Sequence, residues 1–500
     1  MQYLIRCAAL VFLMGITAVA YSTPAWDQSD TSVGSVERLR RAMDSLFGDP
    51  KFSNATFGVA IQSLKTGEYL YRKNETKSLM PASNMKLFTT AEALALLGPE
   101  YRYRTPFLTN LSEVEGHSMQ GLLIEGSCDP TFCSSTMYGD SSRFDSLKKI
   151  VRQIRSSGID SIHGSIWCAN NVSEDLYPAG WEIEDIGEDY ALEVHALNFD
   201  ENQVAITISP SDTIGNKARV GFGDAGFGFI SVQNSTVTTA RDSSATSISV
   251  SRELHHNIVD VDGSFSHYSR PIVKHVSVMD AADYAAKGIA SIFKQGGIAF
   301  DTSVARSAWA RSWEDGELGV YTSPLLSEIV RAMNKESDNL YAECVFRTVA
   351  RVTEKTEDWS DDIEVMRKYL ATIGIDTTRL QFTDGSGLSR MDLVTADDIV
   401  TLLRAMSSNP KLDSAFYNSL PIMGVDGTLE NQMKGTPTQG NVHAKTGSMT
   451  GVRAISGYLT TSDGEPIAFS ILANNYTVPG SEIGKLEDEV LLRLVNFSRK

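Results

Sequence analysis

The sequence has no excess of basic residues: 45 Lys and Arg stand against 62 Asp and Glu, which gives a formal net charge of -17. Nucleic acids and anionic membrane surfaces are bound through positive charge, so the composition argues against both as the main partner. Beyond residue 20 no segment reaches about eighteen uncharged apolar residues, so we expect no transmembrane segment in the mature chain. With 42% hydrophobic and 21% charged residues, the chain has the composition of a folded soluble protein.

The first twenty residues differ from the rest of the chain. Residues 1–6 contain one positive charge, and residues 7–20 are apolar and uncharged. Small residues at Ala18 and Ala20 match the positions that an export peptidase reads. The pattern predicts a signal peptide over residues 1–20, and therefore a protein that is exported to the periplasm or the extracellular space.

Few cysteines remain after such a cleavage, namely Cys128, Cys133, Cys168 and Cys344. In an oxidising compartment four cysteines allow three pairings, and the sequence does not select one of them. The short separation of Cys128 and Cys133 makes a local bridge a reasonable expectation. Cysteine catalysis is the weaker interpretation.

A length of 500 residues exceeds one ordinary hydrophobic core, so we expect two or three domains. Helical and strand patterns at both ends of the chain bracket a middle segment of short alternating strands. This distribution predicts an α/β (α+β) catalytic domain built from residues 26–100 and 310–500. A second domain, from residues 101–197 and 276–309, interrupts it, and a β-rich third domain at residues 198–275 is nested within the second.

The elements nearest to the candidate site can be predicted from periodicity. Helices are expected at residues 35–47 and 83–97. Three strands are expected near the end of the chain, at residues 443–448, 454–460 and 466–474.

The residues that can carry chemistry fall in three short motifs. In chain order these are Ser83-x-x-Lys86, Ser337-Asp338-Asn339 and Lys445-Thr446-Gly447. Each is weak alone, because Ser-x-x-Lys occurs four times in the chain and Lys-Thr-Gly occurs again in a predicted hairpin turn at residues 65–67. The choice among the copies therefore depends on their structural context.

Ser83 lies at the predicted start of a helix, where backbone N–H groups are free and the helix dipole favours negative charge. Lys86 is nearly one turn further on and shares the same face. The helix is otherwise apolar, and burial of a lysine in it would lower the pKa of the amine from about 10.4. A neutral lysine is a base that can activate a serine. The competing interpretation, a capping serine beside a surface lysine, has the higher prior for an isolated Ser-x-x-Lys.

Ser337-Asp338-Asn339 lies between two predicted helices, where a loop can present side chains to a cleft. There Ser337 could relay a proton to a leaving amine, and the amide of Asn339 could hold the backbone of a substrate. The competing interpretation is a helix N-cap before Leu340.

Lys445-Thr446-Gly447 precedes Ser448 on a predicted strand, and an edge strand can pair with an extended peptide. Lys445 would supply positive charge, Thr446 a donor for a carboxylate, and Gly447 room for a close backbone approach. The N–H groups of Ser448 and Ser83 could then form an oxyanion hole.

In this order the three motifs match the set found in β-lactamases and penicillin-binding proteins. The long stretch between the first two motifs resembles the D-alanyl-D-alanine carboxypeptidase/endopeptidase family, the class C low-molecular-mass penicillin-binding proteins, which carry a large insertion there. Four further stretches resemble signatures of that family: residues 126–131, 180–181, 384–390 and 420–429. The resemblance covers nearly all of the mature chain.

The resemblance implies a penicilloyl-serine-transferase-type sandwich with a large nested insertion. It implies peptidoglycan stem peptides as substrates and β-lactam antibiotics as covalent inhibitors. By the same resemblance Ser83 is the nucleophile, Lys86 its base and Ser337 the proton relay. The substrate-binding residues that it implies are Asn339, Lys445, Thr446, Gly447 and Ser448, with Met449, Trp181, Asp185 and Tyr190 in a stem-peptide pocket.

Two other functions remain as alternatives. A non-catalytic peptidoglycan-binding or penicillin-sensing protein would keep the fold without turnover. A β-lactamase-like exported hydrolase would need a Glu-x-x-Leu-Asn element after Ser337, but the nearest string, at residues 193–198, is too long and precedes that motif. No cofactor is expected, and metal binding is not favoured because His255, His256 and His267 lack the spacing of a ligand set.

Overall fold

The computed structural model describes residues 34–169, 175–223, 228–240, 246–300, 305–308, 315–355 and 359–500. The predicted signal peptide lies outside these residues. Within the described ranges, no helix combines the length and the apolar character that a membrane crossing requires.

The helices agree with the predicted periodicity in the parts of the chain that surround the candidate site. The predicted helix at residues 83–97 is a 3₁₀ turn, Ala82–Asn84, followed directly by an α-helix. The α-helices are α1 (Ser35–Phe47), α2 (Met85–Leu96), α3 (Ser135–Tyr138), α4 (Asp145–Ser156), α5 (Ala281–Gln295), α6 (Leu326–Glu336), α7 (Asn339–Thr353), α8 (Trp359–Thr372), α9 (Ala396–Ser407), α10 (Asp413–Ser419) and α11 (Gly480–Val495).

The strands occur in three groups along the chain: two before α2, a long series in the middle, and three near the end. They are β1 (Thr56–Ser63), β2 (Tyr69–Lys73), β3 (Arg104–Asn110), β4 (Val114–Glu115), β5 (Ser118–Glu125), β6 (Ser161–Ala169), β7 (Gln203–Ser209), β8 (Arg219–Phe222), β9 (Ser231–Asn234), β10 (Val237–Thr239), β11 (Ser247–Arg252), β12 (Ile258–Ser266), β13 (Ile272–Ser277), β14 (Ala299–Phe300), β15 (Ala305–Ala308), β16 (Asp315–Thr322), β17 (His443–Met449), β18 (Val452–Thr460) and β19 (Pro466–Asn474).

A five-stranded antiparallel sheet joins the two ends of the chain in the order β17-β18-β19-β1-β2. Side chains alternate between its faces, and both faces are covered, so β19 is buried along nearly its whole length. Phe469 packs with α1 and α11 on one face, whereas Leu472 packs with the layer of α2 and α6 to α10 on the other. The predicted α+β sandwich is confirmed.

A second sheet follows the order β14-β6-β5-β3-β16, with β15 beside β6 and β4 beside β5. β16 pairs antiparallel with β3 over residues 315–322. The predicted boundary at residue 310 would assign β16 to the catalytic domain, but its strand pairing places it in the sheet of the insertion. β16 forms the edge of this sheet next to β3, although the two strands are distant in sequence. The chain therefore reaches the helical layer only after Thr322.

The β-rich segment predicted at residues 198–275 contains β7 to β13, which form two small sheets, β13-β7-β8 and β10-β12-β11, with β9 beside β12. Ile206 and Val261 of these sheets lie in the same buried apolar cluster as Ile166 and Phe293. The segment therefore shares a hydrophobic core with the second sheet and with α5.

Cys128, Cys133, Cys168 and Cys344 are all free and buried. The local bridge considered between Cys128 and Cys133 is not formed. Cys133 packs in the apolar cluster of the insertion, whereas Cys128 packs against Leu340 and Cys344 of α7. The two thiols thus belong to different buried clusters despite their proximity in sequence.

Candidate active site

A cavity of about 560 Å³ lies at the junction of the first sheet, the helical layer and the insertion. Its lining includes Ser83, Ser337 and Asn339, residues of the segment 448–450, and parts of the segments 182–190 and 387–390. The cavity therefore joins residues of the first two motifs with the segment that directly follows the third, although all three are far apart in sequence.

Ser83 lies in the 3₁₀ turn that precedes α2. Ala82, its predecessor, has φ 45°, a conformation that a residue with a β-carbon rarely adopts. Such backbone strain is typical of functional sites, where the surrounding structure must hold it. Here it turns the chain sharply, so that Ser83 stands at the amino end of α2.

Lys86 is fully buried one turn further along. Its Nζ lies 3.1 Å from Ser83 Oγ, and it donates to Asn339 Oδ1 at 2.5 Å and to the Ser386 carbonyl at 2.9 Å. Burial lowers the pKa of Lys86 to about 8, although nearby carboxylates, that of Asp384 first, oppose the shift. The site therefore presents an amine that is partly neutral near pH 8 to a serine hydroxyl.

Ser337 closes α6 with φ 62°, again in the left-handed region, and its N–H donates to the Met333 carbonyl. Its hydroxyl lies 2.8 Å from Lys445 Nζ. Asp338 caps the next helix, α7, by accepting from the Tyr341 N–H. The N-cap interpretation of this motif is therefore confirmed, and the same short loop also presents Ser337 to the cavity.

Lys445 is buried on the edge strand β17. Burial, and then the nearby Lys86 amine, hold the pKa of Lys445 well below its usual value. Its Nζ also donates to the Thr446 carbonyl at 2.8 Å, and its own carbonyl accepts from Asn84 Nδ2 at 3.2 Å. The Lys445 amine is therefore held by Ser337 and by its own strand, whereas the first motif binds the Lys445 backbone.

Gly447 lies where β17 crosses the turn that carries the nucleophile candidate. A β-carbon there would lie 2.8 Å from the Pro81 carbonyl oxygen and 2.9 Å from the Ser83 nitrogen. Only glycine allows this approach. Thr446 contacts the hydroxyl of Thr428 at 2.7 Å, whereas the following Ser448 and Met449 line the cavity.

The insertion contributes one wall of the cavity through Asp185 and Tyr190, whose side chains are hydrogen-bonded to each other at 3.0 Å. The Tyr190 carbonyl accepts from Asn339 Nδ2 at 2.8 Å, so the insertion reaches the second motif directly. Trp181 is not among the residues that line this cavity. Its indole N–H donates to Asp384 Oδ2 at 2.9 Å, so this hydrogen bond connects the cavity wall to the segment 384–390.

Several residues of the site carry no role in the sequence analysis. The Ser386 carbonyl binds Lys86, and Arg390 lines the cavity and pairs with Glu182 at 3.1 Å. Ser386 and Arg390 belong to the stretch 384–390, which the resemblance singles out as a motif without giving it a task. In the described parts of the chain, no group of three or more His, Cys, Asp or Glu side chains is arranged to hold a metal ion.

A buried amine against a serine hydroxyl, at the start of a helix that packs on an antiparallel sheet, is the arrangement of a serine-type hydrolase that uses lysine as its base. The chain belongs to the D-Ala-D-Ala carboxypeptidase 3 (S13) family, whose model matches residues 39–491, and it is a serine-type peptidase. The resemblance drawn from the three motifs is confirmed.

Curated relatives match over most of their length. A D-alanyl-D-alanine carboxypeptidase of Actinomadura sp. (strain R39) is 32% identical, over 99% of this chain and 91% of its own. A penicillin-sensitive carboxypeptidase A of Dictyostelium discoideum is 28% identical, over 87% of this chain and 86% of its own.

A solved structure, penicillin-binding protein 4 (dacB) of Haemophilus influenzae, has the same fold, with a TM-score of 0.76 at 23% identity. The match covers 91% of this chain and 99% of the other.

Proposed function

We propose that the protein is an exported D-Ala-D-Ala carboxypeptidase, endopeptidase or both, which acts on peptidoglycan stem peptides through an acyl-enzyme on Ser83. The observation that carries the proposal is the 3.1 Å contact between the buried Lys86 amine and the Ser83 hydroxyl. Family membership supports the substrate class, and the pattern of residues 1–20 supports export.

In the proposed reaction Lys86 accepts the hydroxyl proton while Ser83 Oγ attacks the carbonyl of the penultimate D-alanine. The N–H groups of Ser83 and Ser448 stabilise the oxyanion. The peptide C–N bond then breaks, and Ser337, with Lys445 beside it, passes a proton to the departing amine. Water hydrolyses the resulting ester and regenerates Ser83.

Substrate binding is assigned to the groups around this centre. The Lys445 amine and the Thr446 hydroxyl donate to the terminal carboxylate, whose negative charge favours the ammonium form of Lys445, and Asn339 holds the peptide backbone. Asp185, Tyr190 and Met449 form the proposed stem-peptide pocket. Here Trp181 is proposed to hold the pocket wall in place through Asp384.

The proposal predicts covalent inhibition by β-lactams, since a strained lactam carbonyl would form the same ester on Ser83. Fluorescent penicillin should label the wild-type protein and not Ser83→Ala, as seen on a denaturing gel. The wild-type protein should also release D-alanine from a muropeptide. Equal labelling of both proteins would remove Ser83 from its role, and labelling without release would favour the penicillin-sensing alternative. Rapid nitrocefin turnover would favour the β-lactamase-like alternative.

A further inference from the structure

Glu343 is a buried carboxylate one helical turn after Asn339 on α7. Its Oε2 accepts from the Gly385 N–H at 3.0 Å and its Oε1 from the Ser386 N–H at 2.8 Å. The two oxygens thus bind two consecutive amides of one turn. Glu343 itself does not line the cavity.

The turn that Glu343 binds runs from residue 384 to residue 389 and is wedged between α2 and α7. Thr89 Oγ1 donates to the Gly385 carbonyl at 2.6 Å. A β-carbon on Gly387 would lie 1.9 Å from the Ala82 carbonyl oxygen, so the turn packs directly against the strained residue before Ser83. The Ser386 carbonyl, which lies between these contacts, accepts from Lys86 Nζ at 2.9 Å.

We propose that Glu343 is a positioning residue for the reaction: by fixing the amides of Gly385 and Ser386, it aims the Ser386 carbonyl at Lys86 and so holds that amine against Ser83. The inference rests on the proposed function, because it assigns a task within the Ser83 acylation step. Glu343 acts through the turn and does not touch the reacting atoms.

A merely structural role explains the arrangement less well. A buried carboxylate carries a large desolvation cost that a neutral side chain would avoid. Burial, and then the neighbouring Asp384 carboxylate, raise the pKa of Glu343 above its usual value, so the burial of this group has an electrostatic cost. Both of its oxygens accept from amide N–H groups, which is the hydrogen-bond pattern of the ionised carboxylate. Two charge-assisted hydrogen bonds to the turn that orients Lys86 offset this desolvation cost.

The test compares the acylation kinetics of the full-length wild-type protein and Glu343→Gln with a chromogenic β-lactam. Glutamine can accept one of the two amide N–H groups and turns a donor toward the other. The acylation rate constant should fall by about 10- to 100-fold, the loss that a small misplacement of a reacting group causes. The dissociation constant of the preceding noncovalent complex should change by less than about twofold.

The pH dependence of the acylation rate distinguishes a positioning role of Glu343 from a general loss of structure. Lys86 is faced by the carboxyl groups of Asp384, Glu343 and Asp338 and by the amine of Lys445. A nearby carboxylate favours the ammonium form of Lys86. Glu343→Gln should therefore shift the acidic limb of the acylation profile to lower pH while it lowers the plateau.

Glu343→Asp serves as the second variant, because it keeps the charge and retracts the carboxylate by one methylene. It should lower the plateau and leave the acidic limb near the position of the wild-type protein. The matched control is Glu465→Gln, which removes another buried carboxylate, bonded to Ser63 and Arg499 at the far end of the sheet. This control should acylate at the wild-type rate.

The inference is overturned if a folded Glu343 variant acylates within about twofold of the wild-type rate with an unchanged acidic limb. That result leaves the proposed function intact, because the wild-type protein would still be labelled on Ser83. Failure of the proposed function has a different signature, namely a wild-type protein that forms no covalent adduct.

Discussion

At the scale of single residues, the serine and lysine pair could be predicted from the sequence because it lies on one helix. A separation of three residues fixes the relative direction of Ser83 and Lys86 as soon as the helix forms. The Ser386 carbonyl could not be predicted in the same way. It is a backbone group that any residue offers, and its direction depends on the turn that Glu343 holds.

The lowered pKa of Lys86 predicts the pH dependence of acylation. The amine must be neutral to accept the Ser83 proton, and its pKa is about 8. The acylation rate constant should therefore rise about tenfold per pH unit below pH 8 and level off above it. Stopped-flow measurement with a β-lactam between pH 6 and pH 9 tests this. A flat profile over that range would contradict the assignment of Lys86 as the base.

Glu92 of α2 predicts an effect on stability. It is fully buried, and within the described residues neither carboxylate oxygen has a hydrogen-bond partner. Burial holds its pKa well above its usual value of 4.5, so the group is more easily protonated in the folded state than in the unfolded state. Its contribution is consequently most favourable below pH 4.5 and is lost as the pH rises toward the folded-state pKa.

Glu92→Met should accordingly raise the free energy of unfolding by about 1–3 kcal/mol near pH 8, with a smaller gain near pH 5. Urea unfolding at the two pH values measures this. The exposed Glu115→Gln provides the control and should change the free energy of unfolding little. An unchanged or lower stability of Glu92→Met at pH 8 would show that this carboxylate has a favourable role.

At the scale of elements, the strands and helices near the site follow their sequence patterns closely. The three terminal strands, predicted at residues 443–448, 454–460 and 466–474, extend over His443–Met449, Val452–Thr460 and Pro466–Asn474. Strand pairing was harder to predict. The pairing of β16 with β3 joins residues about two hundred positions apart, and no local pattern encodes such a contact.

The close crossing of β17 over the nucleophile turn predicts that Gly447→Ala is damaging. The added methyl would lie within 3 Å of the Pro81 oxygen and the Ser83 nitrogen, so the edge strand must move outward. Acylation should slow by about 100-fold, while the rest of the sheet stays folded. Gly221→Ala, where a β-carbon meets nothing within 4 Å, is the matched control and should acylate normally. A wild-type rate in Gly447→Ala would mean that the contact is not needed.

At the scale of the whole molecule, the distribution of helical and strand patterns along the sequence predicts a catalytic domain interrupted by a β-rich segment. These patterns could not predict that the β-rich segment shares its apolar core with the second sheet. That sharing depends on which faces of β7 and β12 are buried against α5, and alternation along a single strand does not say which partner covers it.

The shared core predicts that the β-rich segment cannot be removed without loss of stability. Its ends are close, since the Val278 N–H donates to the Asn202 carbonyl at 3.0 Å, so a short Gly-Ser linker can replace residues 203–277. The deletion would expose apolar residues of the remaining cluster, and the melting temperature should fall by at least about 5 °C. Differential scanning calorimetry tests this. An unchanged melting temperature would show that the segment is an independent domain.

The arrangement of the first sheet also bears on how the protein is made. Ser83 emerges early during synthesis, but the strand that carries Lys445 and Gly447 is translated more than three hundred residues later, and its neighbours β18 and β19 later still. A nascent chain, or one released prematurely, holds its serine without the edge strand that completes the cleft. The proposed peptidase activity would therefore be absent until the polypeptide is nearly complete.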